Sequence, residues 1–140
     1  RWFWKVIIVI TKNMIKDFLI LNCIGKKNKI CLRVKNNYYI HTIDQIINQN
    51  DHLVSNILNL VEKHKVILDD KFSIIVNIGP GSFSSIRTSI SIAKGIKISK
   101  NINLYSYKNS DLKQFDVENI ELLINKKLIQ NKLIKPIYLS

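Results

Sequence analysis

Gly79-Pro80-Gly81-Ser82 has the residue types of a backbone cradle. Two glycines around a proline let a chain turn sharply without Cβ clashes, while the proline fixes one φ. A serine placed next, at the head of a helix, can accept from the free N–H groups of the first turn. Such a turn can hold an anion at the helix N-terminus. It has neither the lysine of a P-loop nor the third glycine of a dinucleotide fingerprint, so an ordinary strand-to-helix turn is the plainer reading. Ser82, Ser84 and Ser85 cluster behind it, yet none lies in a Gly-x-Ser-x-Gly elbow and no histidine adjoins them. Capping and close packing explain them better. His41, His52 and His64 are eleven and twelve residues apart, which does not give the i, i+4 pair that puts two imidazoles on one helical face. With neither a nucleophile–base pair nor a metal-ligand set legible, the chain reads as non-catalytic, and no metal or cofactor is expected.

The turn needs a strand before it and a helix after it. Residues 72–76 form an apolar run that reads as a buried strand, and residues 83–99 read as a helix. On that helix the small residues Ser82, Ser85, Ser89 and Ala93 recur at three- and four-residue steps beside Phe83, Ile86 and Ile90. The pattern alone leaves two readings: both stripes pack inward, or the helix lies against another helix, which small residues admit closely. Arg87 can pair bidentately with a carboxylate or phosphate, which Lys94 cannot imitate.

Upstream, residues 18–24 and 29–35 read as strands joined at Gly25, and Asn36-Asn37 begins a second turn into residues 38–41. Residues 51–64 read as a helix with Leu53, Val54, Ile57, Leu58 and Val61 on one face. Residues 102–107 read as a further strand. Three antiparallel strands, then helix, strand, helix, strand, is the order of a ribonuclease-H-like α/β lobe, the half-unit of the actin, sugar-kinase and Hsp70 superfamily. A hairpin centred near residue 27 would set Cys23 against Cys31, both as buried, reduced thiols. After Leu112 the pattern thins: residues 120–124 alternate poorly, and residues 128–139 suit a strand or a short helix.

Composition bounds the rest. The chain has 140 residues, 46% hydrophobic and 23% charged, as one globular domain would. Its apolar runs fall short of a membrane span and no signal-peptide cleavage pattern follows the first one, so a cytoplasmic location is expected. The net charge of +12 comes almost wholly from lysine, scattered over every segment alongside abundant isoleucine and asparagine. These are residues of AT-rich codons, and no aromatic side chains are interleaved as stacking platforms for nucleic acid. The charge still predicts salt-sensitive, non-specific adhesion to polyanions.

The run from Gly79 to Arg87, followed by Ala93-Lys94-Gly95, closely resembles the hallmark of the TsaB (YeaZ) family, Gly-Pro-Gly-Ser-Phe-Thr-Gly-Leu-Arg with Ala-Lys-Gly or Ala-Gln-Gly downstream. Asp51-His52-Leu53 is similar to its His-Ser segment, and Pro136-Ile137-Tyr138-Leu139 to its Pro-x-Tyr-Leu-Arg ending. The resemblance implies the same ribonuclease-H-like lobe over residues 14–112. It implies that residues 113–140 are the remnant of a second lobe, and that residues 1–13, ahead of Met14, are a non-native upstream extension. It also implies a role: a non-catalytic scaffold in making threonylcarbamoyladenosine on tRNA, docked on the catalytic TsaD. A TsaE-like ATPase would join, and a second copy of the chain could use the same helices. The tRNA would be met only through the complex, and no membrane is involved. Carried over, the interface is Gly79, Pro80, Gly81, Ser82, Phe83, Ile86, Arg87 and Ile90, with His52 beside it.

Two departures stand out. The superfamily's magnesium–phosphate aspartate, at the end of the first strand, would fall at Ile24-Gly25-Lys26, where no carboxylate stands. Ser84 and Ser85 replace Thr and Gly, and Ser85 adds atoms where close approach was allowed. An RNA-binding module, a weak nucleotide-binding domain and a remnant without activity remain alternative readings.

Overall fold

The computed structural model describes residues 15–25, 27–44, 51–81 and 83–130. The expectations for residues 1–13, for Met14 as a start, for Ser82 as a cap and for residues 131–140 lie outside them.

Five strands form one mixed sheet: β1 (Asp17–Asn22), β2 (Lys27–Val34), β3 (Asn37–Asp44), β4 (Phe72–Asn77) and β5 (Asn103–Tyr107). Their spatial order is β3-β2-β1-β4-β5. β1 to β3 pair antiparallel, while β4 and β5 add parallel to β1. This is the ribonuclease-H-like arrangement expected from the element order. Parallel neighbours require crossovers, supplied by α1 (Asp51–Lys63) and α2 (Phe83–Lys100). A third helix, α3 (Val117–Asn125), follows β5 and a short 3₁₀ turn, Asn109–Asp111.

β4 is buried along its whole length, as a central parallel strand covered on both faces must be. Its alternation sorts the core into two layers. Leu19, Leu21, Ile74 and Val76 face one side with Leu53, Ile57, Leu60 and Val61 of α1 and Ile86, Ile90 and Ala93 of α2. Phe18, Ile20, Ile75 and Tyr107 face the other with Ile120 and Leu123 of α3. Fully burying each such side chain contributes about 1.5–3 kcal/mol, and the helices are held chiefly by this face.

Several expectations need correction. The β1–β2 register sets Ile20 opposite Cys31 and Leu21 opposite Ile30, so the hairpin centre lies before residue 27. That shift sends Cys23 and Cys31 to different layers rather than against each other. On α1, Leu60 is buried, while Leu58 is 47% exposed and Val54 only half-buried. The β2–β3 connection is Lys35-Asn36, with φ of 52° and 66°, the two left-handed residues of a tight hairpin turn, and β3 runs on to Asp44.

α3 falls where alternation failed because its period is helical. Asp116 caps it, accepting from the Asn119 N–H at 2.8 Å, and Ile120 and Leu123 sit three residues apart on the buried face. Tyr38 Oη donates to Glu121 at 2.9 Å, fastening β3 to α3, and burial pushes the phenol up to about 12. Ser106 and Gln130 exchange backbone hydrogen bonds of 2.7 and 2.8 Å on the outer side of β5.

Candidate functional site

The carboxyl ends of β1, β4 and β5 converge beside the glycine turn, and each carries an asparagine there or just beyond: Asn22, Asn77 and Asn109. In open α/β sheets this edge is where ligands and partners are met. β4 ends at Asn77, which is 1% exposed. Its Oδ1 accepts from the Gly79 N–H at 2.8 Å, the geometry by which an asparagine turns the backbone two residues on. Because a backbone N–H can only donate, that contact fixes which end of the Asn77 amide is oxygen. Asn77 Nδ2 then donates to Asn22 Oδ1 and Asn109 Oδ1, at 3.2 Å each.

Gly79 has φ 100°, a conformation that side chains with a Cβ rarely adopt, and its peptide with Pro80 is cis. Its carbonyl accepts from the Asn109 N–H at 2.9 Å. Ile78 N–H donates to the Tyr107 carbonyl at 3.0 Å, continuing the β4–β5 pairing past the strand end. Tyr107 Oη crosses beneath to donate to the Leu21 carbonyl at 3.2 Å, and burial raises its phenol well above the ordinary range. At Gly81 a Cβ would meet the Ile24 Cβ at 2.8 Å, so glycine is required there by close approach.

The sequence-derived site residues divide. Gly79 is buried, Gly81 half-buried and Pro80 exposed, forming one turn that leads to Phe83, the first residue of α2. Ile86 is fully buried and Ile90 is 5% exposed, both in the layer between α2 and the sheet. They hold the helix down rather than facing outward. Ser89 is buried too, its Oγ donating to the Ile86 carbonyl at 3.0 Å. What α2 turns outward is Ser84, Arg87, Ser91 and Lys94.

The histidines are dispersed. His52 is half-buried in the first turn of α1, where its carbonyl accepts from Asn56 Nδ2 at 2.8 Å. His64, beyond the end of α1, stacks on Tyr39 with ring centroids 3.8 Å apart, and His41 is exposed on β3. Among the described residues no three His, Cys, Asp or Glu side chains gather as metal ligands would. No described helix is long and apolar enough to cross a membrane.

β1 ends at Asn22, two residues before the place laid out for the superfamily's carboxylate. The end of that strand therefore presents a neutral amide, already engaged by Asn77. The asparagine cluster escaped the sequence reading because asparagine is common in this chain and the three positions lie far apart in it. The one local signal was Asn77 closing an apolar strand just before Gly79.

No family model matches the chain, and no curated protein does. Among solved structures it is similar to YeaZ from Pseudomonas aeruginosa, at 19% identity and a TM-score of 0.58, over 70% of this chain and 45% of that one. It is equally similar to the crystal structure of an uncharacterized protein with similarity to peptidase YeaZ from Pseudomonas aeruginosa. There the identity is 20% and the TM-score 0.58, over 70% of this chain and 44% of the other. The chain thus spans less than half the length of these proteins, and what it shares with them is the fold.

Proposed function

We propose that this chain is a non-catalytic docking subunit of the machinery that forms threonylcarbamoyladenosine on tRNA, seated on a TsaD-like catalytic subunit. The observation that carries the reading is the rigid Gly79–Gly81 turn at the head of α2. It has the hallmark residues of the TsaB resemblance and sits on a lobe with the YeaZ fold. A turn held on both sides loses little freedom when a partner closes on it.

In this reading the partner meets Pro80, Gly81, Ser82, Phe83 and Arg87, then runs along the outward face of α2 and takes in the exposed Leu58 of α1. Ser84 and Ser91 keep that face low, and Leu58 supplies apolar area. Ile86 and Ile90 act from beneath by fixing the helix, and His52 flanks the face. The amide at the end of β1 supports a scaffold rather than a magnesium–phosphate enzyme. A TsaE-like ATPase joins through the catalytic subunit, tRNA is reached through the complex, and a second copy of the chain competes for the same helix face.

Co-expression with the TsaD of the same organism, followed by affinity capture at moderate salt, tests this. Co-purification that Leu58→Asp or Ser91→Arg abolishes, with thermal unfolding unchanged, is the expected result. No retention of the folded wild-type chain would overturn it. The net charge of +12 favours one competing reading, an RNA-binding module. That reading requires tight binding to tRNA without protein partners and a steep fall in affinity with salt.

A further inference from the structure

We propose that Asn77 is the positioning residue of the docking turn, working with Asn109 as a clamp that presets Gly79 for the partner. The inference rests on the docking reading above and adds the residues that shape its surface. Gly79 is gripped at both of its backbone polar groups. Asn77 Oδ1 takes its N–H at 2.8 Å, and the N–H of Asn109 donates to its carbonyl at 2.9 Å. The two grips are tied to each other, since Asn77 Nδ2 donates to Asn109 Oδ1 at 3.2 Å. The same amide nitrogen reaches Asn22 Oδ1, so a single side chain joins the carboxyl ends of β1 and β4 to the segment leaving β5.

An asparagine with 1% exposure carries a desolvation cost that an apolar residue would avoid. What it supplies is direction: it holds Gly79 at φ 100° and thereby aims Pro80 and Gly81 out of the sheet edge. Packing alone would not choose that conformation, because a glycine peptide has many others. The clamp therefore acts on the turn and not on the core.

The test uses the full chain with amide hydrogen exchange followed by NMR, alongside its affinity for the co-expressed TsaD-like subunit. Asn77→Ala should speed exchange at Gly79 about tenfold relative to Ile75 in the middle of β4, a loss equivalent to about one hydrogen bond. Partner affinity should fall by about the same factor. Asn77→Thr, whose hydroxyl can accept the Gly79 N–H, should restore most of the protection and part of the affinity. If Asn77→Ala does not fold, Asn109→Ala serves instead, removing the Nδ2 acceptor from a half-buried site and loosening Gly79 more mildly. Gly79 exchange that stays in step with Ile75, or full affinity despite a loosened Gly79, overturns the clamp. A wild-type chain that fails to bind, with Gly79 responding as expected, overturns the docking reading and leaves the clamp standing.

Discussion

Cys23 and Cys31 lie on opposite faces of the sheet, one in the layer beneath α1 and α2, the other in the layer beneath α3. The sheet itself separates the thiols however oxidising the surroundings, because a disulfide needs Cβ vectors that point together. Both are free and buried. The native protein should therefore resist a thiol-specific reagent at neutral pH, and both cysteines should react once it is unfolded. An intramolecular disulfide in the folded protein, detected by peptide mapping, would contradict the register.

Burial also sets an alkaline limit on stability. It pushes both thiols up to about 12 from 9.0, and the Tyr38 phenol up to about 12 from 10.0. Each group's folded value lies above its unfolded one. The stabilisation is therefore fully present below the unfolded values and is lost as pH rises through the folded ones. Denaturant midpoints should fall steadily between about pH 9 and pH 12. Flat midpoints would mean that these groups ionise as readily folded as unfolded.

The glycines should respond with opposite signs. Gly81→Ala places a Cβ against the Ile24 Cβ at 2.8 Å, an atom that cannot swing aside, and should cost about 1–3 kcal/mol. Gly95 lies within α2 with open space where a Cβ would go, so Gly95→Ala should gain roughly 0.5–1 kcal/mol. Chemical denaturation of the two variants beside the wild type checks both.

Two helix substitutions distinguish the core from the proposed surface. Ile90→Asp buries a carboxylate in the layer between α2 and the sheet and should cost at least about 3 kcal/mol. It would abolish partner binding only by unfolding the chain. Leu58→Asp, on the outward side of α1, should leave stability within about 0.5 kcal/mol while weakening capture of the partner. Circular dichroism melts and capture assays on the same preparations separate the two effects.

Much of this protein was legible residue by residue. The apolar run into Gly79-Pro80-Gly81 marked a buried strand and a sharp turn, and the helical spacing after it marked α2, because these signals are local. The order of three strands followed by alternating helices and strands determined the ribonuclease-H-like topology, since crossovers between parallel strands allow few alternatives. Long-range geometry was left to the tertiary structure. Only the strand register could send Cys23 and Cys31 to separate faces, because one residue of slippage inverts every side chain. Only packing could decide that the Ile86 and Ile90 stripe belongs to the sheet, for a periodic stripe does not say what covers it. The meeting of Asn22, Asn77 and Asn109 likewise required the sheet to assemble, since each is an ordinary asparagine until three strand ends bring their amides within hydrogen-bonding distance.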